Sequence, residues 1–528
     1  ATWGAVSILS TGGSILDNAE ANVDVYANEL RLSAVTATKA VGASANHLES
    51  EVAIVSANVG SGGLFLTEAT AITVGQTAAV TVNRVLTDGT VTASTQIDAA
   101  QANLSSAGNL ILITTAGSIE TLGSGGATSA AGNLLIEAGG ASSDITLGAA
   151  VTNTLGHTSI NAGQSIVQNA NITASGTAST IELIAGTSIT MGAGATIGTN
   201  NGNVLLNAAN GNILLETISA GSANVAITAQ AGNIVDRDAD GDSAVDITAA
   251  GLILKASNGI GSGANHLETT VNTLNLSAGA GGAFITESNG VTIDALTVAV
   301  NRVASDASVS TPAISSVTQE DLSVTGAGHL VLLSNAGDIT VNAGTAATGA
   351  ISAATGNVLL KATAGALSLN AALAATGGNI SLFAGTLLSQ GVDGDINTSG
   401  SGTIDVQANA IIMAHGAVTT AANGNIRYTA TSTLILGALS TSADVSLSAS
   451  SITDAGSGGS DSSNVSADEL RIVTTGAADG NGAGTSANHL ELSVNKLAAS
   501  VAGTLTGGLF LLEANGIQIG TLSAINVN

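Results

Sequence analysis

The sequence predicts an all-β chain wound as a right-handed parallel β-helix, a β-solenoid with coils of about 20–25 residues. Three observations predict it: a composition without large rings, a short strand-and-corner rhythm, and a long internal repeat. Of 528 residues, 67 are Gly, one is Pro, none is Cys and about 1% are aromatic, while 45% are hydrophobic. Disordered chains lack such an aliphatic supply. A single deep core needs bulky rings, whereas Ala, Val, Ile and Leu suit a narrow core repeated turn after turn.

The short rhythm is Gly-Asn followed by a β-branched or leucine run. Gly108-Asn109-Leu110-Ile111-Leu112-Ile113 and Gly202-Asn203-Val204-Leu205-Leu206 show it, and the same opening recurs at Gly132, Gly211, Gly232, Gly356, Gly378 and Gly424. Runs of this length bounded by Gly, Asn and Ser read as strands with corner punctuation. Gly and Asn are expected at corners because they accept positive φ, and stacked Asn side chains should share amide hydrogen bonds between coils. About 24 coils at roughly 22 residues, spaced by about 4.8 Å, would make a rod of about 115 Å. Pro312, which cannot donate to an inter-coil ladder, belongs in a loop. A helical repeat is excluded because it needs heptad-like spacing and strong helix formers, whereas these aliphatic runs are three to six residues long and broken by Gly.

The long repeat is carried by matched landmarks. Asn46-His47-Leu48-Glu49 returns as Asn265-His266-Leu267-Glu268 and again as Asn488-His489-Leu490-Glu491, with the asparagines 219 and 223 positions apart. Each copy continues to Gly-Gly-x-Phe and a Glu three residues on: Phe65 and Glu68, Phe284 and Glu287, Phe510 and Glu513. Asn83-Arg84-Val85 matches Asn301-Arg302-Val303. The chain therefore divides into repeat 1 at 1–222, repeat 2 at 223–441 and a partial repeat 3 at 442–528, expected as one continuous rod. With no initiator Met, and with the third copy stopping inside a segment that the others continue, the expectation is a piece of a longer chain or a polymerising subunit.

Ten basic against 37 acidic residues give a net charge of −27. Scattered cations cannot track a phosphate backbone, so nucleic acid is excluded as a partner. No apolar stretch approaches the roughly 18 residues of a membrane span, so no insertion of this segment is expected. About one net charge per coil lies inside the ~8 Å Debye length, so bare rods should repel and divalent cations should bundle them.

The most metal-like segment is Asp236-Arg237-Asp238-Ala239-Asp240-Gly241-Asp242, in which Asp236, Asp238, Asp240 and Asp242 alternate as in the first half of a calcium loop. The closing Glu is missing, since Ile247 stands at the twelfth position beside Asp246. No cofactor is required, and Ca²⁺ is the one ion the loop would take. Each His-x-Glu pair shares a strand face, but single copies too far apart to combine read as architectural corners. The recurrent Phe reads as a core plug. Glu68, Glu287 and Glu513 are expected to pair with Arg84, Arg302 or backbone donors. No catalytic residue emerges: paired carboxylates with tuned pKa values are not evident, and the rings of Trp3, Tyr26, Tyr428 and four Phe are scattered.

The segments Ile260-Gly-Ser-Gly-Ala-Asn-His-Leu-Glu268 and Gly281-Gly-Ala-Phe-Ile-Thr-Glu287 resemble the repeats of giant bacterial surface exoproteins, the filamentous-haemagglutinin-like adhesins. The resemblance covers the whole chain and rests on loosely defined motifs. It implies secretion, a cell-surface position, and a structural or adhesive role rather than an enzymatic one. Expected partners are the chain itself, laterally or end to end, and a host or neighbouring cell surface or glycan. The alternatives are a self-polymerising filament subunit without a receptor and, behind it, a polysaccharide-acting enzyme. The family's N-terminal secretion domain, with its Asn-Pro motifs, has no match here, because Pro312 follows Thr311.

Overall fold

The computed structural model describes residues 3–19, 22–92, 97–238, 244–345, 350–457, 462–478, 480–502 and 507–528. It is an all-β parallel β-solenoid, about 21 turns of about 23 residues each. That is fewer turns than the about 24 expected from a coil of roughly 22 residues, for a physical reason. Two insertions leave the winding: Ala57 pairs with Leu104 and Leu276 with Leu322, so the segments between them include far more than one turn. The chain forms two compact units, the first built from Ala1–Ala239, Asp246–Ala250 and Thr297–Val317, the second from Asp240–Val245, Gly251–Leu296 and Thr318–Asn528.

Each turn in the regular stretches carries short strands, and each strand stacks in register on its counterpart one turn on. Leu134–Ala138 pairs with Thr158–Ala162, that strand with Ile181–Ala185, and that one with Val204–Ala208. Alternation puts one set of side chains inside, so Leu110, Leu112, Leu134, Ile136, Ile181, Leu183, Val204 and Leu206 are fully buried. Columns of like aliphatics result, each burying its neighbour above and below. Tyr428 is a fully buried ring, and its hydroxyl stays satisfied at 2.8 Å from Thr419 Oγ1. Among the described residues no helix is long and apolar enough to cross a membrane.

The Gly-Asn corners form where the rhythm placed them, but for another reason. A Cβ on Gly356 would stand 1.8 Å from Gly328 O, on Gly378 1.8 Å from Gly356 O, and on Gly424 1.8 Å from Gly402 O. These glycines are required because successive turns touch backbone to backbone, not because φ is positive. The asparagine ladder also differs in detail. Asn109 Oδ1 accepts the backbone N–H of Asn133 at 2.8 Å, Asn133 Oδ1 that of His157 at 3.0 Å, and Asn357 Oδ1 that of Asn379 at 2.9 Å. Each amide therefore closes the next turn's corner rather than pairing mainly with another amide. Pro312 opens the short 3₁₀ turn Ala313–Ser315 in an insertion, as expected of a loop residue.

Candidate functional site

The repeat-defining residues assemble into one corner used three times. His47 Nδ1 lies 2.7 Å from Thr67 Oγ1 and its ring sits 5.8 Å from Phe65; His266 stands 2.9 Å from Thr286 Oγ1 and 5.9 Å from Phe284; His489 lies 6.2 Å from Phe510. Asn-His-Leu-Glu and Gly-Gly-x-Phe recur together because the histidine of one turn packs on the phenylalanine of the next. The second glycine is fixed by φ of +95° at Gly63 and +82° at Gly282, which L side chains avoid.

The recurrent glutamates turn inward. Glu68 and Glu287 are fully buried; each takes a hydroxyl at 2.6 Å, from Ser50 and Thr269, and backbone N–H groups, from Val52 and Val271 at 3.1 Å. Glu513 accepts Val494 N–H in the same way. Burial pushes the Glu68 and Glu287 carboxyls up, against those hydrogen bonds. Of the partners expected from sequence, the backbone donors are the ones seen, and Arg302 goes elsewhere.

The calcium-like loop is only partly visible. Asp236 is buried at the end of the strand Ile234–Asp236 and accepts Asp238 N–H at 3.0 Å; Asp238 is half-buried, and Asp240 and Asp242 lie outside the described residues. Asp236 is instead brought together with Asp246 and Glu268, and the matching corner of repeat 1 gathers Asp17, Asp24 and Glu49; in each group the carboxylate oxygens fall within 4.8 Å of one another. Asn46 donates to Asp17 at 2.6 Å and Glu49 N–H to Asp24 at 3.0 Å. Desolvation, then the charges of Asp17 and Asp24, raise the Glu49 carboxyl to about 7. Three carboxylates are half of what a calcium ion needs. Repeat 3 has Asn464 where Asp24 stands, and there the amide donates to Asp454 at 2.7 Å while its oxygen accepts Glu491 N–H at 2.9 Å. The signal was present in the sequence as Asp17, Asp24, Glu49 against Asp454, Asn464, Glu491, but unequal spacing hid it.

A carboxyl raised in the folded state favours folding fully below its unfolded value and loses that contribution as pH rises through the folded one. Repeat 1 should therefore lose stability between about pH 4.5 and 7. Asp24→Asn, copying Asn464, is expected to flatten this slope and to add about 1 kcal/mol at pH 8 after solvent screening. Thermal midpoints across pH 4–8 check it; an unchanged slope would mean that Asp24 does not control Glu49.

Trp3 and Tyr26, expected to be scattered, stack on each other with centroids 5.5 Å apart, so these two rings are brought together after all, although each stays about half exposed.

The largest feature that sequence reasoning missed is a docked arm. Residues Thr297–Val317 leave the winding and lie across the first unit. The covered surface is one column, a single residue from each turn: Phe65, Ile111, Leu135, Ser159, Glu182 and Leu205, in direct register. The arm hairpin pairs Arg302 with Ser310 and Val303 with Val309. Val303 and Ala307 fill the apolar part against Phe65, Ile111 and Leu135. Val303 N–H donates to Ser159 Oγ at 2.9 Å, and Asn133 Nδ2 to Ala307 O at 2.9 Å. Arg302 grips Glu182 with two bonds, Nε to Oε2 at 2.8 Å and Nη2 to Oε1 at 2.9 Å, and Ser315 Oγ also donates to that carboxylate. Glu182 has no exposed side-chain surface, so the guanidinium is its counter-charge. Asn301 N–H reaches Thr180 Oγ1 at 3.1 Å, Asn203 Nδ2 donates to Ala299 O at 2.8 Å, and His47 Nε2 lies 3.1 Å from Ser305 O. The arm thus ties together turns from His47 to Asn203.

The fold and this arm define the chain as a β-solenoid repeat protein. No protein-family model, no curated protein and no solved structure matches it.

Proposed function

We propose that the chain is a structural solenoid of a secreted bacterial surface protein, similar in its repeats to filamentous-haemagglutinin-like adhesins and serving as an extracellular spacer for attachment. The observation that carries this reading is the arm. In a solenoid each turn touches only its neighbours, so turns can peel away singly. An arm fastened to many turns opposes that, which is useful to a chain held under tension and superfluous to a soluble binder. Acidic, cysteine-free composition accords with a surface location.

Pulling the intact chain by its ends in optical tweezers tests the reading. The expected record is one cooperative event for the first unit, at a force well above that of the remaining turns. Gradual turn-by-turn extension at low force would overturn it. Among the described residues the polysaccharide-enzyme alternative would draw on Asp17, Asp24 and Glu49 or on Asp236, Asp246 and Glu268; the recurrence of this corner in repeat 3 with Asn464 in place of a carboxylate favours an architectural role.

A further inference from the structure

The column that the arm covers has a twin. In the second unit Phe284, Val331, Leu359, Ser381, Asp405 and Arg427 stand in the same direct register, one residue per turn. They match Phe65, Ile111, Leu135, Ser159, Glu182 and Leu205 in order, with an acidic residue fifth in both and Arg427 in the place of Leu205. The first column is buried under its arm; all six residues of the second are only partly buried. Phe284, Val331, Leu359 and Ser381 line an open cavity of about 350 Å³.

The mouth of this cavity already repeats the arm's anchoring. Asn425 Nδ2 donates to Asn526 O at 2.7 Å, as Asn203 does to Ala299 O. Asn528 N–H donates to Thr403 Oγ1 at 3.0 Å, as Asn301 N–H does to Thr180. Asn526 and Asn528 thus stand where Ala299 and Asn301 stand on the first column.

One difference sets the chemistry of what would fit. On the first column the arm brings the cation for Glu182. On the second, Arg427 already holds Asp405 in two bonds, Nε to Oδ1 at 2.8 Å and Nη2 to Oδ2 at 2.6 Å. A second guanidinium there would meet a neutralised carboxylate and a like charge.

We propose that the column Phe284–Val331–Leu359–Ser381 is a docking groove for an extended polypeptide arm entering in line with Asn528, with an uncharged residue where the first arm carries Arg302 and an apolar residue after it. The apolar residue fills the cavity as Val303 does, and its N–H meets Ser381 Oγ. The groove does not depend on the mechanical reading of the chain, since it follows from the match between two columns.

The test appends arm sequence to the intact chain directly after Asn528. One version carries the residues of Arg302–Val317 unchanged; the other has Leu in the arginine's place. The leucine version is expected to slow amide exchange of the strands Leu330–Ser334 and Val358–Ala362 at least about tenfold, and the arginine version to do so less. Leu359→Asp, on a partly exposed position, should cancel the protection while leaving the circular dichroism unchanged. Absence of protection by the leucine version, or equal protection with Leu359→Asp, overturns the proposal. So does concentration-dependent dimerisation of the unextended chain that is lost in both Val85→Asp and Leu359→Asp, because the occupant would then be the exposed Arg84-Val85 hairpin of a second copy.

Discussion

Arg302→Ala is expected to release the arm and lower the stability of the first unit by about 3 kcal/mol. The loss does not come from a surface ion pair, which would be worth little. It comes from leaving the Glu182 carboxylate without its counter-charge inside a covered column. The cost is bounded, because once the arm lifts away Glu182 regains water. Its signature is therefore an exposed column: amides of Leu110–Thr114 and Leu134–Ala138 should exchange faster, and Val303 with them. The double variant Arg302→Leu with Glu182→Leu should return most of the stability, since Leu205 in the next turn already shows that the column accepts an apolar residue there. Calorimetry of both variants decides the matter. If the double variant is no better than Arg302→Ala alone, the buried charge is not the cause.

Gly378→Ala should be worse still, by more than about 3 kcal/mol, and should hinder folding of the second unit. The new methyl would overlap Gly356 O at 1.8 Å and Gly356 C at 2.4 Å, both backbone. Neither atom can yield, because the register of Val358 with Ile380 and of Leu360 with Leu382 fixes the separation of the turns. Gly377→Ala is the control: the nearest atom to its methyl would be Thr355 Cγ2 at 3.9 Å, so that substitution should be neutral or slightly stabilising. Urea denaturation of the two adjacent variants separates the contact from any general effect of losing a glycine. Equal midpoints would refute the contact.

The winding is legible because a solenoid writes its period into the chain. Gly-Asn before an aliphatic run recurs at Gly356, Gly378 and Gly424, and each time a strand follows in the structure. The reason the sequence suggests for those glycines is local, a matter of φ, whereas the structure shows a contact between turns that no single stretch of sequence contains. The corner of His47 and Phe65 is recognisable as a repeated mark, though its ring-on-ring packing needs the turns to be stacked first. The acidic corner escapes notice because Asp17 and Asp24 are closer in sequence than Asp236 and Asp246 or Asp454 and Asn464, so the first copy falls out of alignment with the other two. The docked arm is the least legible. Arg302 and Glu182 are 120 positions apart, and Asn-Arg-Val announces nothing until the column it covers is assembled.

That separation also imposes an order of construction. His47 and Ser305, which meet at 3.1 Å, lie 258 positions apart in the chain. A polypeptide emerging from its N-terminus winds the receiving turns long before the residues that fasten them exist, and domains generally form in that direction. The first insertion clasps the earliest turns soon after they form, with Ser7 donating to Asp98 and Arg31 to Ala99 O, but until Asn301–Ala307 arrives the stripe of Phe65, Ile111 and Leu135 stands uncovered. The most vulnerable moment in the life of the first unit is therefore a delay of fixed length, about a dozen turns of synthesis, after which the structure closes behind itself.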